Sequence, residues 1–344
     1  MEGADAPRGR TGRVRPVSMA NVARAAGVSQ QTVSRVANDA PNVNAETRAR
    51  VRKAMADLGF RPNYAGRSLR SGTYRAVGLC LYNVNQYGNL STLDGIMAAA
   101  RGKGYAVAMV EVGDDNPVSL GEASRRLAEL PVDGIILSMS VMASDFEEFR
   151  PLAGMGTVLL SVPAHPFCTT VDSDQYGGGL AVMDYLLGLG HRQIRHLAGP
   201  GHSVDASFRR AAWADALAAR GVSAVEPLVG DWTADSGYEL GARLARDCAM
   251  TAVYVANDTM ALGVIAALRD AGRRVPEDVS VVGTDDSLVG TVPDVGLTTV
   301  RFDLIRRGHE AFEQALLASA PDYETRAVRI PGTLVERRSV STPR

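Results

Sequence analysis

Three cysteines in 344 residues, Cys80, Cys168 and Cys248, are too few and too far apart for a disulfide framework or a zinc cluster, and buried reduced thiols are expected. Long apolar runs are missing as well: none reaches the ~18 residues that a membrane-spanning helix requires. The opening segment, MEGADAPRGRTGRVRP, is charged and has no apolar stretch of the kind a secretory signal needs. Neither GxGxxG nor GxxxxGKS/T occurs, which removes the usual signs of a dinucleotide or triphosphate enzyme. The histidines, His165, His191, His196, His202 and His309, show no ligand spacing and are expected on helix or loop surfaces. With no nucleophile–base pair and no metal cluster legible, the chain reads as a cytoplasmic non-enzyme without cofactor or metal.

Charge is unevenly spread. The first 75 residues hold 14 Lys and Arg against 5 Asp and Glu, a balance of +9; the remainder hold 23 against 33, a balance of −10. A basic head on an acidic body points to a polyanion as partner of the head alone. Nucleic acid is the first candidate, because neutralised phosphates release counterions. At roughly 100–200 residues per domain, the length provides for two or three units.

Residues 1–17 are rich in Gly, Pro and Arg and read as a disordered basic arm, with Arg8, Arg10, Arg13 and Arg15 solvated. Three short helices follow. Ser18 caps the first, whose Val22, Ala23 and Ala26 share a face that ends at Gly27. Ser29 caps the second, from 30 to about 38, with Val33 and Val36 inward. Asn44 caps the third, about 45–58, with a stripe of Val51, Met55 and Leu58 ended by Gly59.

From about residue 75 the texture changes. Apolar strand candidates at 76–81, 105–110, 133–137, 157–162, 194–197, 252–256 and 279–283 alternate with helical stretches at 93–102, 176–189, 207–219, 236–247 and 260–271. This alternation indicates an α/β body with parallel sheets covered on both faces, and its size favours two lobes over one open sheet. The run Gly177-Gly178-Gly179 reads as tight packing at a helix start.

The stretch MANVARAAGVSQQTVSRVAN, residues 19–38, is the most specific text in the chain. Small residues, Ala23 and Ala26, sit where two helices must cross closely, and Gly27 permits the turn between them. The second helix then presents Gln30, Gln31 and Arg35. Gln can pair with adenine and Arg with guanine in the major groove. Ser29, Thr32 and Ser34 are short hydroxyl groups suited to phosphate or base contacts.

AGVSQQTVSRV resembles the signature of the LacI/GalR family of bacterial transcription regulators, and RPNYAGRSLRSG, at matching spacing, is similar to that family's hinge. The resemblance implies that Gln30 and Gln31 select operator bases. Thr32, Ser34, Arg35, Asn38 and Thr47 would help position the unit on DNA, Asn63 would add a hinge contact, and Leu69 would wedge into the minor groove. Gly66 stands where Ala is expected. Since Gly costs about 1 kcal/mol of helix propensity relative to Ala, the hinge should fold chiefly on DNA. Replacing Gly66 by Ala should then tighten operator binding, and unchanged or weaker affinity would refute the idea.

In two α/β lobes, ligands bind beyond the carboxyl ends of strands. Tyr82, Asn83, Ser138, Asn257-Asp258 and Asp285-Asp286 lie at such ends, with Arg209 and Trp232 in nearby loop-to-helix segments. Carboxylate, amide and guanidinium groups suit paired hydroxyls, and an aromatic face suits the C–H side of a sugar ring. On the residues alone, Asn257 and Asp285 can instead cap helices, Arg209 can be a solvated charge, and Trp232 can be core. The family resemblance extends to about residue 337. It implies that Arg209, Asn257 and Asp285 hydrogen-bond a sugar effector and that Trp232 lines its pocket, with Tyr82 and Ser138 as further candidates. Ser161, Leu304 and Tyr82 depart from the pattern, standing where an aspartate, a phenylalanine and a serine are expected.

These expectations assemble into an arm at 1–17, a helix-turn-helix domain at 18–61, a hinge at 62–74, a two-lobed periplasmic-binding-protein-like effector and dimerisation body at 75–337, and a tail at 338–344. The expected function is a homodimeric repressor on a near-palindromic operator, released by a sugar inducer. No leucine heptad follows LVERRSVSTPR, so dimers rather than tetramers are expected. The rivals are a purine-type corepressor mechanism on the same architecture and, further off, a solute-binding protein.

Overall fold

The computed structural model describes residues 17–38, 40–60, 72–82, 87–112 and 119–344. The chain divides into two compact units, with the boundary between Tyr74 and Arg75.

The first unit is trihelical. Helix α1 (Met19–Ala26) opens on a reciprocal cap in which the Ser18 side chain accepts from the Asn21 N–H while Asn21 accepts from the Ser18 N–H, and it stops at Gly27 in the left-handed region. Ser29 caps α2 (Gln30–Ala37) and Asn44 caps α3 (Ala45–Leu58), which ends at left-handed Gly59. Val22, Ala23, Ala26, Val33, Val36, Val51 and Ala54 form the core. The α3 stripe therefore differs from expectation. Ala54 is buried, Met55 is half-buried and Leu58 is exposed, because two eight-residue helices cover only the middle of a fourteen-residue one. Two α3 arginines brace the unit: Arg50 Nε donates to the Ala26 carbonyl at 3.0 Å and Arg48 Nη2 to that of Ala40 at 2.5 Å.

The second unit has two lobes. The first lobe holds β1 (Ala76–Tyr82), α4 (Tyr87–Lys103), β2 (Ala106–Val112), α5 (Leu120–Ala128), β3 (Gly134–Ser138), β4 (Gly156–Leu160) and β5 (Thr169–Ser173). The second lobe follows with α6 (Gln175–Gly188), β6 (Ile194–Ala198), α7 (Val204–Ala218), β7 (Leu228–Val229), α8 (Ala234–Leu244), β8 (Ala252–Val255), α9 (Asp258–Asp270), β9 (Ser280–Val282) and β10 (Thr299–Arg301). The chain then returns to the first lobe with α10 (Leu304–Leu317) and β11 (Ala327–Ile330), and crosses again to β12 (Thr333–Val335), antiparallel to β10. Strand order is β11-β5-β4-β3-β1-β2 in the first sheet and β7-β6-β8-β9 in the second, each parallel throughout.

Apolar clusters cover both faces of each sheet, as the near-continuous apolar strands require. At the start of α6, a Cβ on Gly178 would come within 2.8 Å of Phe302, and one on Gly179 within 2.7 Å of Ala212. Residues beyond 337 are not a free tail. Ser339 is buried, its carbonyl accepts from the Val281 N–H, and the Ser341 carbonyl accepts from Ser280 and from His191 Nε2.

Two expectations about side chains are corrected. Cys80 and Cys168 are buried, but Cys248 is exposed. His165, His191 and His196 are buried rather than superficial. Each donates a ring N–H to a carbonyl (of Phe146, Ser341 and Tyr254 respectively), which lets a neutral imidazole sit in a core.

Candidate functional site

The helix-turn-helix presents one candidate surface. Gln30, Gln31, Arg35 and Asn38 are exposed on α2 and its cap, with Thr32, Ser34 and Thr47 half-buried beside them. Ser29 is exposed, but its hydroxyl is already engaged: it accepts from the Thr32 N–H at 3.1 Å and bonds the Thr32 hydroxyl at 3.0 Å. Asn38 donates to Ser34 at 3.4 Å. Gln30, Gln31 and Arg35 make no side-chain hydrogen bond among the described residues, so their donors and acceptors face outward unused. Asn63, Gly66 and Leu69 lie outside the described residues.

The second candidate is a cleft of about 390 Å³ between the lobes. Tyr87, Asn89 and Ser140 line it from the first lobe. From the second come Ser203, Asp205 and Arg209 around the start of α7, Asp231 and Trp232 after β7, Asn257 after β8, and Asp285 and Ser287 after β9. These are the carboxyl ends of parallel strands, where the sheet leaves a crevice and loop backbones are free to turn.

Arg209 organises the floor. Its side chain is buried, with Nε donating to Gln175 at 2.9 Å, Nη1 to the Ala256 carbonyl, and Nη2 to Asp285 at 3.1 Å. Burial pushes the Asp285 carboxyl up, and Arg209 opposes that shift. Trp232 lies with its ring 5.8 Å from the Arg209 guanidinium carbon. A Cβ on Gly199 would collide with that ring, so glycine there makes room for the indole. Trp232, Asp285 and Asp286 all have positive φ (77°, 105° and 54°). Such backbone is strained for non-glycine residues and concentrates where side chains must be aimed.

Behind the floor, Asp286 pairs with Arg301 and Arg337 at 2.6 and 2.7 Å. Buried Asp258 accepts from Thr299 Oγ1 and the Ser287 N–H. Burial, reinforced by the nearby Asp285 charge, raises Asp258 to about 7.

The structure thus brings Arg209, Trp232, Asn257 and Asp285 together. No helix follows Asp285, and Arg209 is not solvated, so those two alternatives fall away. Asn257 does cap α9, accepting from the Met260 N–H at 2.9 Å, and it donates to the Trp232 carbonyl at 3.0 Å. Ser138 is buried at the end of β3, and Ser140 lines the cleft instead. Tyr82 ends β1, with its side chain outside the described residues, as is all of Asn83. Ser161 and Leu304 are buried and are not among the lining residues. Sequence reasoning missed Tyr87, Asn89, Gln175, Asp205 and Asp231. Asp205 and Asp231 sit beside marked residues, in HSVDASFRR and GDW, and adjacency was the signal available.

A helix-turn-helix unit joined to a two-lobed, cleft-bearing domain defines a DNA-binding transcription regulator. Residues 18–63 match the family described as bacterial regulatory proteins, lacI family, and residues 183–340 match the periplasmic binding protein-like domain. The chain is 31% identical to the lactose operon repressor of Escherichia coli (strain K12) over 333 residues, 96% of this chain and 92% of that one. It is 34% identical to the HTH-type transcriptional regulator CelR of Thermobifida fusca, over 84% of this chain and 87% of the relative. A crystal structure of the lac repressor dimer bound to operator and the anti-inducer ONPF superposes with a TM-score of 0.81 at 29% identity, covering 94% of this chain and 99% of that one. The chain belongs to the lacI family of regulators, and it is not an enzyme. Among the described residues no helix is long and apolar enough to cross a membrane, and no group of His, Cys, Asp and Glu could hold a metal ion.

Proposed function

We propose that this regulator is a cytoplasmic, homodimeric repressor of sugar-utilisation genes, held on a near-palindromic operator and released when a sugar enters the cleft. The helix-turn-helix (18–61) reads the operator through Gln30, Gln31 and Arg35, with Ser29, Thr32, Ser34, Asn38 and Thr47 positioning it on the backbone. A hinge (62–74), with Asn63 and Leu69 on DNA, connects it to an effector and dimerisation body (75–344).

The observation that carries the sugar reading is the lining of the cleft. Paired Arg209 and Asp285, together with Asp205, Asn257 and several hydroxyl groups, offer many hydroxyl partners around one indole face. About 390 Å³ is within the range of small-molecule pockets. A relative solved with cellobiose, CelR, has the same fold at a TM-score of 0.67. A ligand shifts the equilibrium only by its differential affinity for the two lobe arrangements. Mobility shifts with the chain's own upstream DNA, with and without a sugar panel, test the proposal. Release by a sugar is the expected result. Tightening by a purine would reverse the sign and overturn release by a sugar.

A further inference from the structure

We infer that the ligand of this cleft carries a protonated amine on its hydroxylated ring, and that the Asp205 carboxylate receives it. This rests on the sugar reading above and specifies the class of sugar.

Asp205 lines the cleft on the first turn of α7 and has no hydrogen-bond partner among the described residues. It is not needed as a cap, because the Ser203 hydroxyl accepts from the Ala206 N–H. Both nearby cations are engaged elsewhere. Arg209 is bound to Gln175, Ala256 and Asp285; Arg307 is bound to Asp172 at 2.8 Å, to Thr92 and to the Gly88 carbonyl. Burial and the neighbouring Asp172 and Asp285 charges push the Asp205 carboxyl up, against the pull of Arg209 and Arg307. Asp205 is half-buried at the cleft wall, and a carboxylate there without a protein donor is an acceptor that an incoming ammonium satisfies more strongly than a hydroxyl.

The lining as a whole has the same sign. Asp231, held low by the Thr233 hydroxyl and N–H, stays ionised, so Asp205, Asp231 and Asp285 face the single cation Arg209. A concave site of one sign concentrates the opposite charge. The Trp232 face adds a surface on which a cation-bearing ring can lie.

The test is calorimetric titration of the full chain at pH 7.5. One probe set is glucosamine and galactosamine, the second is glucose, galactose and their N-acetylamino derivatives, and the third is putrescine. Amino sugars should bind about tenfold or more tightly than the neutral set, the size of one charge-assisted hydrogen bond. Asp205→Asn should abolish the preference and Asp205→Glu should keep it. In the unmodified chain the preference should fade as pH falls below about 6, a measurement that stands even if the Asn variant fails to fold. Equal or tighter binding of neutral sugars, or a preference that survives in Asp205→Asn, overturns the amine and leaves the sugar reading intact. Binding of putrescine but no sugar overturns the ring, and the sugar reading with it. No response to any set overturns both.

Discussion

The buried guanidinium of Arg209 is the residue on which the cleft depends. Removing one partner of a buried pair leaves an uncompensated charge and costs about 3–5 kcal/mol. Asp285→Ala should therefore lower stability by about 3 kcal/mol and also remove ligand binding. Asp285→Asn, which tolerates positive φ and can still accept one bond, should lose binding with a smaller stability loss. Urea denaturation and titration of the two variants check this. Gly199→Ala is a second case. The added methyl displaces the Trp232 ring, so affinity should fall several-fold while overall stability changes by no more than about 1–3 kcal/mol, read from Trp fluorescence during titration. Much of this site was legible. Asn257 and Asp285 stand out as polar residues at strand ends, Arg209 and Trp232 in nearby loop-to-helix segments are marked through the family resemblance, and the four converge on one cleft. Asp205 does not stand out, because an acidic residue in a first helical turn has an ordinary explanation in the helix dipole. Only the burial around it and the prior commitments of Arg209 and Arg307 reveal its position.

Capping residues made the small helices readable. Ser18, Ser29 and Asn44 accept from the first-turn amides, and Gly27 and Gly59 take the left-handed caps, because these local hydrogen bonds need no tertiary context. Asn44→Ala should cost about 1 kcal/mol and appear as lost hydrogen-exchange protection in the first turn of α3 with α1 unchanged. The larger unit was readable where its strands are apolar and opaque where they are not. Strand β5 is Thr-Thr-Val-Asp-Ser, and its buried Thr169, Thr170 and Asp172 are partnered by the distant Tyr323, Arg329 and Arg307. No local pattern announces partners more than a hundred residues away. Helix α10 and strands β10, β11 and β12 escaped for a related reason. They are short or charged, and each takes its place from a lobe crossing that only the assembled fold defines.

At the scale of the whole molecule, acid stability follows from two buried groups that titrate with opposite sign. His196 is stacked between Trp213 and Tyr254, at 5.6 and 4.9 Å between ring centroids, and donates from Nδ1 to the Tyr254 carbonyl. Burial lowers it from 6.5 to about 4. Between those values the unfolded chain holds the proton and the folded chain does not, so this contribution is complete above pH 6.5 and is lost as pH falls toward 4. Its full size is about 3 kcal/mol. Asp258 behaves in reverse. Raised from 3.8 to about 7, it keeps a proton in the folded state that the unfolded chain has shed. Its contribution is present below about pH 4 and is lost as pH rises through 7, by about 4 kcal/mol in all. Buried His165 and His191, also lowered, add to the first effect, and Asp205 adds to the second. The unsubstituted chain should therefore show a shallow dependence from pH 4.5 to 6.5, because the two signs offset. Each substitution exposes the other sign. Relative to the parent, His196→Phe, which preserves the aromatic stack, should gain stability progressively on acidification. Asp258→Asn should gain it as pH rises. Urea midpoints measured at half-unit steps from pH 4.5 to 7.5 separate the two cases. Parallel curves for parent and variants would show that neither group's proton affinity differs between the folded and the unfolded chain.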